Sequence, residues 1–261
     1  MSEPGNGEVQ PIVSRENQQD RLSRWTEQGL SPTAVAAYGG SIDILKDILT
    51  TGKVPSYSDP DLLPYQQDLL STGGHLYYFT PIFEKINEVR PTLAENIKRR
   101  DPHLTDTLSA PKVRNTARLY AMQQSIKNFF YNQTGRTVEP SDIYNLAIDV
   151  IPETFDAFYD ETREFINPPV KSEILKERNQ EIVDSLRRDI DPAQLEEILR
   201  SSLQRRGVIL YFNQNIFANN KVYAGHESEY EFMVVSQQPL STETISGIEI
   251  STAAEKIELG L

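Results

Sequence analysis

Strand-like and helix-like hydrophobic spacing are segregated along this chain, and that segregation limits the folds open to it. Short apolar runs bounded by Gly or Pro lie at 33–38 and 75–80, and such runs return only after Arg206. Between them, residues 82–100, 111–132, 141–166 and 171–205 carry helical spacing, as at Leu175, Ile182 and Leu186 and again at Leu195, Ile198 and Leu199. Pro152 and the Pro168-Pro169 pair punctuate this stretch, and Asp191-Pro192 reads as a helix cap followed by proline at the first helical position. The C-terminal part supplies three further strands, over Gly207–Phe212, Glu229–Val235 and Ile245–Ile250. The plan is strand–helix–strand, a long helical insert at about 82–205, then a C-terminal sheet, which is α+β.

Local signals sharpen the first folded block. The run from Thr33 to Tyr38 is small to apolar and ends at Gly39-Gly40. Ser41 then caps a helix whose Ile42, Leu45, Ile48 and Leu49 share one face, and Gly52 is placed to end it. Residues 55–74 are rich in Pro, Ser, Asp and Gly and read as an irregular loop. Residues 1–30 read as a disordered or extended tail with Trp25 and Leu30 as its anchors, leaving 31–261 as a single domain.

Composition excludes several classes of function. With 26 basic and 38 acidic residues and a formal net charge of −12, the chain is a poor partner for a broad phosphate surface. It holds no cysteine, so a disulfide framework, a thiolate metal site and a cysteine nucleophile are all excluded. Its three histidines, His75, His103 and His226, are far apart in sequence and form no helical ligand pair, so no metal is expected. No Ser-His-acid spacing and no Gly-rich Lys-Ser/Thr phosphate loop occurs. No apolar run is long enough to span a bilayer and the first twenty residues lack the features of a secretory signal, so a cytoplasmic protein without membrane contact is expected.

Three groups of residues could carry chemistry. Tyr38-Gly39-Gly40-Ser41 is either a tight strand–helix turn or a place where bare backbone approaches a planar ligand. Tyr77, Tyr78 and Phe79, with Tyr120 from a helix, are either core or a pair of stacking surfaces for a flat ring. Glu227, Glu229 and Glu231 alternate along a strand and share one face. That face is either solvated or an acidic wall that accepts hydrogen bonds from sugar hydroxyls and stabilises an oxocarbenium ion.

Taken in order, these pieces resemble the ADP-ribosyltransferase fold. Tyr38-Gly39-Gly40-Ser41 is similar to that family's His-Gly-Thr/Ser turn, and Leu45 to Gly52 to the Leu-x-x-Ile-Leu-x-x-Gly helix that follows it. Gly74 to Thr80 is similar to the strand that supplies the nicotinamide-stacking tyrosine, here Tyr78. Thr116 to Ala121 resembles the next helix, whose aromatic, Tyr120, covers the opposite ring face. Glu229 to Val234 resembles the Glu-x-Glu strand, with Glu231 in the catalytic position, and Pro239 to Ile248 is similar to the closing strand.

The resemblance covers about 110 residues in pieces. Tyr38 stands where the family has His or Arg, and Tyr78 and Tyr120 are farther apart than usual. It implies a split β-sheet with a large helical insertion, NAD as substrate, and transfer of ADP-ribose to a protein or nucleic-acid acceptor by a toxin or effector. In the implied site Gly39 holds the carboxamide, Ser41 and Thr80 contribute to dinucleotide binding, Tyr78 and Tyr120 stack on the ring, and Tyr38 donates a hydrogen bond to a ribose hydroxyl. Glu231 binds the ribose and Glu229 orients or activates the acceptor. The alternative is an inactive relative that binds a ligand or protein, with the helical insert as its recognition surface.

Overall fold

The computed structural model describes residues 15–57, 74–100, 110–162, 184, 188–224 and 231–261. The first described element corrects the expectation of a tail reaching to residue 30. Residues 15–28 form helix α1 (Arg15–Gln28), and Trp25, only 2% exposed, sits in the main core beside Leu22. The Arg21 guanidinium lies over the Trp25 ring at 5.9 Å. Leu30, the other expected anchor, is exposed.

Strand β1 (Ala34–Gly40) leads through Ser41 into α2 (Ile42–Thr51), which buries Ile42, Leu45, Ile48 and Leu49 as its spacing predicts. Gly52 ends α2 in the left-handed region, and its N–H bonds to Ile48 O at 2.9 Å. Strand β2 (His75–Pro81) follows. Helices α3 (Phe83–Val89) and α4 (Pro91–Arg100) come next, then the long α5 (Ala110–Thr134) and the pair α6 (Pro140–Val150) and α7 (Pro152–Thr162). After α8 (Pro192–Leu203) the chain returns to strands, β3 (Val208–Asn213), β4 (Lys221–Ala224), β5 (Phe232–Ser236) and β6 (Ile245–Ile250), and then α9 (Ala253–Glu258). Asp191 caps α8 as expected, its Oδ1 accepting from the N–H groups of Ala193 at 3.0 Å and Gln194 at 3.1 Å.

The six strands form one antiparallel sheet in the order β4-β5-β2-β1-β3-β6, which makes the fold α+β. The pairing is uneven. β1 follows β3 from Ala34↔Asn213 to Gly40↔Val208, but it joins β2 only at Ala36↔Pro81 and Ala37↔Thr80. Two three-stranded halves therefore meet at a narrow seam, and the Tyr38–Gly40 end of β1 continues beside β3 alone.

Alternation along the strands sends side chains into separate cores. Tyr77, Phe79, Leu210, Phe212, Phe232 and Val234 face α1–α4 in the main core. On the other face, Ala34, Ala37, Ile209 and Tyr211 pack on Val113 and Ala117 of α5, while Leu76, Met233 and Val235 form a smaller group with Tyr78 and Tyr223. The helical stretch is not one block. α3 and α4 belong to the main core, whereas the C-terminal half of α5 joins α6, α7 and α8 around Met122, Phe130, Leu146, Phe155 and Leu199. Arg118 ties this bundle together: its guanidinium pairs with Glu161, lies 4.6 Å from the Phe158 ring and donates to Leu203 O.

Helix α5 approaches the sheet backbone to backbone. A Cβ on Gly39 would lie 2.5 Å from Val113 O and 2.8 Å from Ala117 N. Gly207, with φ of 72°, is held between Ala117 O and Gly40 O. The carboxylate of Glu255, 2% exposed, fixes that turn by accepting from Gly207 N at 2.8 Å and Arg206 N at 3.1 Å. Gly52 has a nearly identical φ of 71° with open space around it. Gly52→Ala should therefore cost only about 1 kcal/mol, the left-handed penalty. Gly207→Ala adds the collision with α5 and should cost about 2–4 kcal/mol. Urea midpoints of the two variants at equal m-value check this, and equal losses would contradict the close docking of α5.

Candidate functional site

The strand order brings distant parts of the chain to the seam. Tyr38 is the next-to-penultimate residue of β1, Tyr78 lies in β2, and Glu231 immediately precedes β5. In the β2–β5 register Phe79 faces Phe232, so Glu231 comes one residue beyond that pair, beside Thr80. Tyr120 projects from α5 one turn after Ala117, the residue seated against Gly39. Tyr57 approaches from the segment after α2. Its N–H donates to Leu76 O at 2.7 Å, and its ring meets the Tyr78 ring edge-on, with centroids 5.1 Å apart and planes at 79°.

Electrostatics link Tyr38 to three members of this group. Burial pushes its phenol far above the usual range, and the nearby Tyr120, Glu231 and Tyr57 raise it further, in that order of size. Tyr38 is thus held as a neutral hydroxyl that can donate a hydrogen bond. Tyr144 of α6 extends the group behind Tyr120. Its hydroxyl accepts from Gln123 Nε2 at 2.7 Å, while burial, the larger influence, pushes its phenol up to about 12. A carboxylate and several tyrosine faces in one neighbourhood suit a flat, positively charged ring attached to a sugar.

The other residues singled out from sequence separate into distinct environments. Tyr77 and Phe79 are core, and the Tyr77 hydroxyl accepts from Leu240 N at 3.0 Å. Thr80 is buried at the seam, paired in register with Ala37. Gly39 pairs with Ile209, and its bare Cα faces α5 rather than open space. Ser41 has the extended backbone of an N-cap, but its hydroxyl makes no cap bond. It lines a separate polar cavity of about 140 Å³ with Asp43, Gln124, Asn128, Arg205 and Glu258, and none of the clustered tyrosines borders that cavity. Glu227, Glu229, His226 and His103 lie outside the described residues. Among the described residues no three His, Asp or Glu side chains are grouped to hold a metal ion, and no helix is long and apolar enough to cross a membrane.

Tyr57 and Tyr144 were not identified from sequence. Tyr57 sits in a Pro- and Ser-rich loop with no periodicity, and Tyr144 reads as one more apolar residue on a helix face. Only their spatial neighbours distinguish them. Compared with family models, with curated proteins and with solved structures, the chain matches none.

The raised phenols have a consequence for stability. A tyrosine whose folded-state pKa exceeds its unfolded value of about 10 binds its proton more tightly when folded. Its contribution is complete below that pH and is lost as pH rises toward the folded value. Tyr38, Tyr144 and Tyr211 are all raised. The urea midpoint should therefore decline from about pH 10 upward, and the decline should be shallower in Tyr38→Phe. An alkaline profile unaltered by that substitution would place Tyr38 in an ordinary aqueous setting.

Proposed function

We propose that this protein is an NAD-dependent ADP-ribosyltransferase that transfers ADP-ribose to a macromolecular acceptor, and that it acts as a toxin or effector. One observation supports the reading: Tyr38 at the end of β1 lies within electrostatic reach of Glu231 at the threshold of β5, and of Tyr120 and Tyr57, although Tyr38 and Glu231 come from opposite ends of the folded chain. Two further features support it. The sheet is joined at its centre by only two residue pairs, as a split sheet requires, and a helical bundle with its own core lies between β2 and β3.

In this reading the gathered side chains serve the nicotinamide–ribose half of the dinucleotide. Tyr78 stacks on the pyridinium ring and Tyr38, held neutral, donates to a ribose hydroxyl. The Glu231 carboxylate accepts from the 2′-hydroxyl and faces the positive charge that develops at the anomeric carbon. As the glycosidic bond breaks, its electron pair leaves with the pyridinium nitrogen and departs as neutral nicotinamide. The resulting oxocarbenium ion is stabilised by the fixed carboxylate until the acceptor nucleophile forms the new bond and gives up its proton. Glu229, two residues before Glu231, is assigned to orient or activate that acceptor.

A second reading keeps the fold and the tyrosine group but not the reaction, so that the protein binds a ligand or a protein partner. Two observations favour it: Tyr38 replaces a basic or imidazole side chain, and the bare Cα of Gly39 is occupied by α5 packing. Incubation with NAD labelled in the adenosine moiety separates the two. The transferase releases nicotinamide and passes label to acceptor, whereas a binding protein gives an NAD-dependent thermal shift without release. For the transferase, Glu231→Gln should lower turnover by about 10²–10³-fold, the scale of losing one charge-stabilising group. Turnover at the wild-type rate in that variant would remove Glu231 from the mechanism.

A further inference from the structure

A polar cavity of about 140 Å³ opens where the start of α2, the middle of α5, Arg205 and α9 converge, and neither reading of the tyrosine group uses it. Its lining is held in place by its own bonds. Asn128 joins Gln124 to Asp43, accepting from Gln124 Nε2 at 2.8 Å and donating to Asp43 Oδ2 at 2.8 Å. Lys46 and Arg205 both donate to Glu258, at 2.8 Å and 3.1 Å, and Ser125 Oγ accepts from Ser202 Oγ at 3.0 Å. The charges balance, with Asp43 and Glu258 set against Lys46 and Arg205.

Ser41 is the member left without a partner. It is 5% exposed, borders the cavity and opens α2, yet its hydroxyl makes no cap bond and no other hydrogen bond among the described residues. A buried hydroxyl in that state is costly unless water or a ligand reaches it. The bonds above also leave capacity unused: Arg205 keeps further N–H groups, Gln124 its Oε1 and a second N–H, and Ser125 its O–H. An oxyanion takes donors alone and meets two carboxylates here. A cation takes acceptors alone and meets Arg205 and the positive end of α2. A hydroxyl group donates and accepts at once, so interspersed donors and acceptors with balanced charge suit a molecule carrying several hydroxyls. The apolar lining is Ile42 and Ala121, and no aromatic ring borders the cavity to stack on a planar base.

We infer that this cavity is a binding site for a small neutral polyol, the size of a single sugar ring, with Ser41, Gln124 and Arg205 as its hydrogen-bonding contacts. The volume is well below that of a pocket for a drug-sized molecule, so it does not take a dinucleotide, and the clustered tyrosines lie outside it. The site is therefore separate from the one assigned to NAD, and it stands whether or not the transferase reading holds.

The test titrates the full chain with D-glucose, D-ribose, myo-inositol and glycerol by calorimetry or ligand-observed NMR, and with inorganic phosphate in parallel. At least one polyol should bind, and Ser41→Ala and Gln124→Ala should each weaken it about three- to tenfold, the scale of one lost hydrogen bond. Ser41→Ala removes no cap bond and Gln124 is only half-buried, so melting temperatures within a few degrees of wild type are expected and verify folding. Excess NAD should leave the polyol affinity unchanged. Failure of all four polyols to bind overturns the inference, and so does an affinity unaltered in both variants, which places the binding elsewhere. Phosphate binding that is weakened by Ser41→Ala, with no polyol bound, marks an anion site and overturns it as well. Displacement of the polyol by NAD overturns it by making the cavity part of the dinucleotide site. NAD serves here as competitor alone, so its failure to bind counts against the transferase reading and leaves the polyol site intact.

Discussion

The close docking of α5 onto the ends of β1 and β3 is the contact on which the rest of the structure depends. At Gly39, Gly207 and Ala117, backbone meets backbone with no room for a Cβ on either glycine. Glu255 secures the Gly207 turn by accepting from two N–H groups, one of them fully buried, so α9 and the C-terminal end of the sheet are part of the same joint. Interiors packed to this density do not deform smoothly, and a helix seated on backbone atoms has one admissible register. That register sets where Tyr120 projects relative to Tyr38. It also commits the first half of α5 to the sheet and the second half to the helical bundle.

The seam follows from the same economy of contact. β1 is bound along its whole length to β3 and covered by α5, whereas two residue pairs hold it to β2. In the order β4-β5-β2-β1 the Tyr38–Gly40 end of β1 lies across β2 from the start of β5. Tyrosines and a carboxylate collect there, and burial keeps the central phenol protonated. The transferase reading proposed above assigns this neutral donor, carboxylate and set of aromatic rings to a cationic ring joined to a sugar.

Sequence periodicity was a good guide where an element's own residues decide its structure. The face of α2, its Gly52 terminus, the Asp191-Pro192 cap and strands β1, β2, β3 and β6 all follow from local spacing and cap chemistry. It failed where stability comes from elsewhere. The sequence of α1 is mostly polar, and the helix is held by burial of Leu22 and Trp25 and by the approach of Gly29 O to Gly247. β4 is a four-residue edge strand with no fully buried side chain, too short for an alternation signal, and it exists because β5 offers it a partner. The candidate site shows the same division. Tyr38, Tyr78, Tyr120 and Glu231 are recognisable from motif order, but Tyr57 is not, and Ser41 lines a different cavity from the tyrosines beside it in sequence.

Amino-acid order alone determined the α+β class, the long helical stretch between strands and the absence of thiol chemistry, because these depend on residue type and near-neighbour spacing. Tertiary structure alone decided that α1 belongs to the core, that α3 and α4 join the main sheet while later helices form their own bundle, and that Glu231 comes within electrostatic reach of Tyr38. Those outcomes depend on strand order and on how closely two backbones can approach, and neither is written in any local period of the chain.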